Sequence, residues 1–164
     1  MNSDEACRAA KRIDEDLRRI IPIETVPEKE AGRCAEAYDL VVTDSELRLK
    51  TEGLFRGGHY ARAVEEAYKL LDNIVRNKAQ IKQSGFALMM AAFNAKNPKL
   101  RLNPGQSISD NDEQEGYMHI FAGSMRGIRN PRAHECEWED DEVGAIELLS
   151  LANHLISKAR NSVK

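Results

Sequence analysis

From Tyr60 to about Lys78 apolar residues recur every three or four positions, the period of a helix with one buried face. Ala63, Val64, Ala67, Leu70, Leu71, Ile74 and Val75 make the stripe, opposite Arg62, Glu65, Glu66, Lys69 and Arg76. This is the clearest amphipathic pattern in the chain and predicts the central core helix. Gly57-Gly58 punctuates the sequence just before it. Upstream, the same period predicts a helix from Asp4 to Ile21, with Ser3 as cap and Pro22 as stop, then a connector over 22–30. A second helix starts near Glu30 and runs through Ala35, Tyr38, Val41 and Val42, and Asp44 or Ser45 caps a further short one through Leu47 and Leu54. Downstream, Ser84 to about Phe93 carries a shorter pattern in which Met89 and Met90 read as core filler. Residues 94–111 are rich in Asn, Pro, Gly, Ser and Lys and read as a long loop, with room for a brief strand at Leu100–Leu102. Helical period resumes near Asp112 and passes through Tyr117, Phe121, Met125 and Ile128. A last helix carries Val143, Ile146, Leu149, Ala152 and Leu155 inward and ends near Asn161, with Asp140 and Asp141 suited to its positive start.

The expected fold is therefore all-α, a single-domain bundle of five to six helices, with residues 51–164 as its helical domain and residues 1–50 as an N-terminal helical extension packed on the bundle. Composition agrees. Aromatic residues are sparse at 5% against 41% hydrophobic and 31% charged, a bias toward helix formers. No apolar run reaches the length of a membrane span and the N-terminus lacks a basic-then-apolar leader, so a cytoplasmic protein without membrane contact is expected. Three cysteines, odd in number and without Cys-x-x-Cys spacing, argue against a disulfide framework. His119, His134 and Cys136 fit no zinc spacing, and neither a metal nor a cofactor is expected. A net charge of -3 means that any nucleic-acid binding must rest on a local positive surface.

One stretch concentrates candidate chemistry. Gly123 to Glu135 holds Arg126, Arg129, Arg132 and His134 around Pro131. Proline disfavours α geometry in the residue before it, so the helix is expected to stop near Arg129, with Asn130 capping a short turn begun by Pro131. Arg129 would then project from one helix end and His134 from the next turn, converging on one anion. Histidine titrates near neutrality and can exchange a proton with a ribose 2′-OH, while a forked guanidinium stabilises charge growing on the phosphoryl oxygens. Such a reaction leaves a 2′,3′-cyclic phosphate and a 5′-OH and spares DNA. One Arg and one His form half of an acid–base pair, and a symmetric dimer would supply the other half. The same residues equally suit the dipole and last carbonyls of a helix C-terminus.

Arg129-Asn-Pro-Arg-Ala-His134 resembles the Arg-x4-His signature of the HEPN superfamily. More specifically, the chain is similar to the Ymh-like branch, through Leu54-Phe55, Gly58-His-Tyr60, Ala63 to Lys69, Gly85 to Phe93, Glu115-Gly116, Phe121 to Gly123, Arg129 to Glu135 and the helix Ala145 to Leu155. The resemblance covers roughly residues 50–160. It implies a HEPN-like helical domain that pairs as a homodimer with the two motifs facing each other. It also implies a metal-independent endoribonuclease of phage defence or toxin-type growth arrest, with an antitoxin or another defence protein as partner. Arg129 and His134 would be the catalytic pair and Asn130 a polar helper. Superfamily toxins governed by a nucleotidyltransferase antitoxin carry a tyrosine two residues after the histidine; Cys136 stands there in this chain, which argues against that form of control.

Further candidates surround this pair. Arg126 and Arg132 are placed to grip neighbouring RNA phosphates, or are simply solvated. His59 and Tyr60, at the start of the core helix, are cleft candidates, as is Glu66, since only one of Glu65 and Glu66 can point inward. Gly123 and Gly127 share a helix face and suit close packing, within the fold or at a dimer seam. Six acidic residues among the eight from Glu135 to Glu142 would repel RNA on their own side or dock a basic partner. The reading from a different class is a non-catalytic helical dimer that binds RNA or a protein without cutting. An imidazole at His134 facing solvent in a cleft separates the two.

Overall fold

The apolar stripe that begins at Tyr60 becomes the centre of the molecule. A computed structural model describes residues 28–135 and 138–164; the predicted helix Asp4–Ile21, its cap Ser3, the connector as far as Pro27, and Cys136 lie outside the described residues. The helices are α1 (Glu28–Val41), α2 (Ser45–Arg56), α3 (Tyr60–Ala79), α4 (Gly85–Ala92), α5 (Ile108–Ser124), a π-helical turn (Met125–Arg129), α6 (Asn130–His134) and α7 (Glu142–Asn161). The expected all-α architecture is observed. Among the described residues the only β pairing is a single antiparallel bridge between Arg101 and Val163, at the place where a brief strand was expected.

Within the unit Cys34–Lys164, α3 packs chiefly on α7 and α2, while α4 packs on α5. Ala63, Val64, Ala67, Leu71 and Val75 of α3 are fully buried, together with Leu149, Ala152, Leu155 and Ile156 of α7. Each large side chain so buried is worth roughly 1.5–3 kcal/mol of transfer free energy. Tyr38, Val42 and Leu47 join the same core, so residues either side of position 50 contribute to it. Tyr38 stacks on Phe55 with ring centroids 4.8 Å apart, and Phe93 on Phe121 at 4.2 Å.

Local chemistry explains the boundaries. Asp44 caps α2, its carboxylate accepting from the Glu46 and Leu47 N–H groups. At the other end of α2 the His59 N–H donates to the Leu54 carbonyl and the Gly58 N–H to the Phe55 carbonyl, a Schellman closure. It needs a left-handed residue, and Gly58 supplies it at φ +76. Helix α5 starts four residues earlier than its periodicity suggested, because Ser107 and Asp110 form a reciprocal capping box. Buried Gln114 holds the long loop in place, donating to the Phe93 and Leu100 carbonyls and accepting from the Leu102 N–H.

Candidate functional site

The chain does not leave the helix at Pro131. Asn130 has φ -64 and ψ -43, well inside the right-handed region, and α6 continues to His134. The expectation that Pro131 would drive Asn130 out of helical geometry and stop the helix near Arg129 is corrected on both counts. A proline in a helix lacks a donor and crowds the carbonyl four residues back. Here the turn before it is π-helical, with the Asn130 N–H reaching back five residues to the Met125 carbonyl. That wider turn relieves the crowding and carries the helix past the ring. Glu135, at φ -105 and ψ 116, is where the chain turns extended.

Arg129 and His134 thus lie on one continuous helical run. Five residues at about 100° each put their side chains roughly 140° apart around the axis. Arg129 is half-buried, and its Nη1 donates to the Asn130 Oδ1 at 3.3 Å. Asn130 therefore steadies the arginine instead of capping a turn. His134 is exposed and, among the described residues, its imidazole engages in no hydrogen bond or ion pair.

The other arginines differ sharply. Arg126 is exposed and stacks over the Phe86 ring, its guanidinium carbon 4.3 Å from the centroid. Arg132 is turned inward with a side chain only 5% exposed. Its Nε donates to Asp140 Oδ2 at 2.6 Å, its Nη2 to Asp140 Oδ1 at 2.5 Å, and its Nη1 to the Ile128 carbonyl at 2.7 Å. Such a forked pair is among the stronger polar contacts a protein makes. Tyr68 lies close by, its hydroxyl donating to the Leu148 carbonyl. Burial pushes that phenol far above its ordinary pKa, and the positive charge of Arg132 offsets only part of the effect.

Two adjoining clefts open where the first turns of α3 meet the end of α6 and the segment after it. The larger, about 490 Å³, is lined by His59, Tyr60, Arg62, Trp138, Glu139 and Asp140, with Gly58 and Ala61. The smaller, about 320 Å³, is lined by Glu65, Arg132, Ala133, His134 and Glu135, and shares Ala61, Arg62 and Trp138 with the first. Arg129 is not among the residues lining either. His59 and Tyr60 line the larger cleft. Glu65, not Glu66, lines the smaller one; both carboxylates pair with Lys69, at 2.8 and 2.9 Å. Tyr60 packs edge-on against Phe55, and its hydroxyl pKa is raised by burial first and by the nearby Glu142 charge second.

Sequence reasoning passed over Trp138, Arg62 and the role of Asp140. The lone tryptophan in an acidic run directly after the motif was the available signal. Its ring lies beside the Arg132 guanidinium, 5.3 Å from carbon to centroid, and its Nε1–H donates to Asp140 Oδ1 at 3.3 Å. Asp141, not Asp140, caps α7, accepting from the Gly144 N–H at 2.7 Å. Among the described residues no three His, Cys, Asp or Glu side chains are grouped to hold a metal ion, and no helix is long and apolar enough to cross a membrane.

Fold and site together define an all-helical protein with a polar cleft at the end of a proline-containing helix, walled by one tryptophan and opening onto an unengaged histidine. The chain belongs to the family described as "Protein of unknown function (Hypoth_ymh)", whose model matches residues 42–158. No curated protein and no solved structure matches it.

Proposed function

We propose that this protein is a metal-independent endoribonuclease of the HEPN type, acting as a homodimer in phage defence or toxin-type growth arrest. The observation that carries the reading is the state of His134: an imidazole exposed on a cleft, with no hydrogen bond or ion pair to another described residue, five positions after a half-buried arginine. A histidine serving only its helix end would be expected on a carbonyl or a carboxylate. Among the described residues Arg129 likewise makes no ion pair, and its one hydrogen bond goes to a neutral amide.

In the proposed reaction the 2′-oxygen attacks phosphorus as His134 takes its proton. The O2′–P bond forms, the P–O5′ bond breaks, and the departing 5′-oxygen takes a proton from the His134 of a second copy. Arg129 stabilises the charge that builds on the non-bridging oxygens, with Asn130 holding its guanidinium. The divergence of Arg129 and His134 around one helix supports a site assembled from two chains, in which a two-fold axis running past this helix would bring each arginine toward the other copy's histidine.

The direct test is incubation of the purified protein with unstructured RNA in EDTA, beside His134→Ala. Cleavage by the wild type alone is expected. Intact RNA at high protein concentration, or equal cleavage by the variant, would overturn the reading.

A further inference from the structure

We propose that the larger cleft seats an unpaired nucleobase flanking the scissile phosphate, stacked against Trp138 and read by the carboxylate of Glu139. This rests on the ribonuclease reading and names the part of the substrate that the His134 site holds. The two clefts share Arg62 and Trp138 as a common wall, so an RNA strand whose phosphate lies at His134 runs directly into the larger one.

Three properties suit that cleft to a base. First, its volume, about 490 Å³, lies in the range that ligand-sized groups fill. Second, the Trp138 ring is fixed before any ligand arrives. The Arg132 guanidinium lies beside it and Asp140 accepts from its Nε1–H, yet the residue remains 38% exposed. A preset aromatic surface beside an arginine is the usual platform for bases of single-stranded RNA. Third, the lining supplies a hydrogen-bond acceptor for a base. Asp140 is neutralised by Arg132, which leaves Glu139, beside Arg62 in the lining of the larger cleft, as a carboxylate that no cation among the described residues engages. An uncharged base with an exocyclic amino group would donate to the carboxylate, as cytosine does through N4. Uracil has no such amine and is disfavoured. Arg62, on the shared wall, is left to meet the backbone between the two positions.

Tryptophan emission tests this directly, because Trp138 is the only tryptophan in the chain. The probe is a short single-stranded oligoribonucleotide with 2′-methoxy groups, which binds but cannot be cut. A cytidine oligomer should quench emission in the full-length protein at concentrations where a uridine oligomer does so at least several-fold less. Glu139→Gln should erase that difference. With cleavable RNA, Trp138→Ala should raise KM about tenfold, the scale of one lost stacking contact, while kcat changes little. Trp138→Phe, which keeps an aromatic face, should restore most of the affinity. Unchanged emission with every oligomer, or cleavage with an unaltered KM in Trp138→Ala, overturns the base site and leaves the nuclease reading standing. Quenching by cytidine oligomers with no cleavage of any RNA would leave the base site standing and overturn the nuclease.

Discussion

Arg132 and Asp140 form a forked ion pair, 2.6 and 2.5 Å long, with side chains only 5% and 11% exposed, that ties the end of α6 to the segment leading into α7. An arginine expected to reach for RNA phosphate instead fixes the wall of the cleft beside His134.

Removing one partner of a buried pair strands the other, at a cost of about 3 kcal/mol or more. Arg132→Ala and Asp140→Ala should therefore each lower stability by about that amount in urea or thermal unfolding. The double variant Arg132→Met, Asp140→Leu should recover much of the loss, because no charge is then left stranded. Equal and additive losses would show that the two side chains do not act as a pair.

Gln114 is the polar centre of the long loop, with three hydrogen bonds to backbone groups at Phe93, Leu100 and Leu102. Gln114→Leu leaves two carbonyls and one N–H without partners and should cost about 3 kcal/mol. Gln114→Glu should fare little better, since a carboxylate cannot donate to the carbonyls. Hydrogen exchange should quicken first at the Leu102 amide.

Asp44 sets an acid limit on stability. Burial alone would push its carboxyl up, but hydrogen bonds from Leu47, Arg160 and Glu46 outweigh this and hold its pKa below the ordinary value. A carboxyl depressed in the folded state stabilises fully above its unfolded pKa, about 3.9, and that contribution is lost as pH falls through the folded value. Asp44→Ala should cost about 1 kcal/mol at pH 7, the scale of a lost cap, and the gap to wild type should narrow below about pH 4. Asp44→Asn keeps the cap but loses the charge facing Arg160, so it should lie between the two.

Much of the architecture was legible because it rests on local rules that the chain obeys. The α3 stripe, the Gly57-Gly58 stop, the Asp44 cap and the last helix all follow from period and capping chemistry, and the helices lie where they put them. Pro131 was misread because the rule applied to it is local, whereas the remedy is a change of hydrogen-bond register one turn earlier, between Met125 and Arg129. Nothing in the residue types there announces a π turn. Glu65 and Glu66 are adjacent, so helical phase allowed only one inward, but the choice depends on where α6 and Lys69 lie. Trp138 and Asp140 gain their roles through Arg132, in contacts spanning six and eight positions that no periodicity encodes.

The central claim is that Arg129 and His134 cut RNA through its 2′-hydroxyl, and the ends of the products test it most directly. End-labelled RNA incubated in EDTA with the wild type should yield 2′,3′-cyclic phosphate and 5′-OH ends, with an all-DNA strand untouched. His134→Ala should abolish the products, and Arg129→Ala should slow them by the equivalent of about 2–4 kcal/mol of transition-state stabilisation. Products bearing 5′-phosphates, or cyclic-phosphate ends formed equally well by the His134→Ala protein, would contradict it.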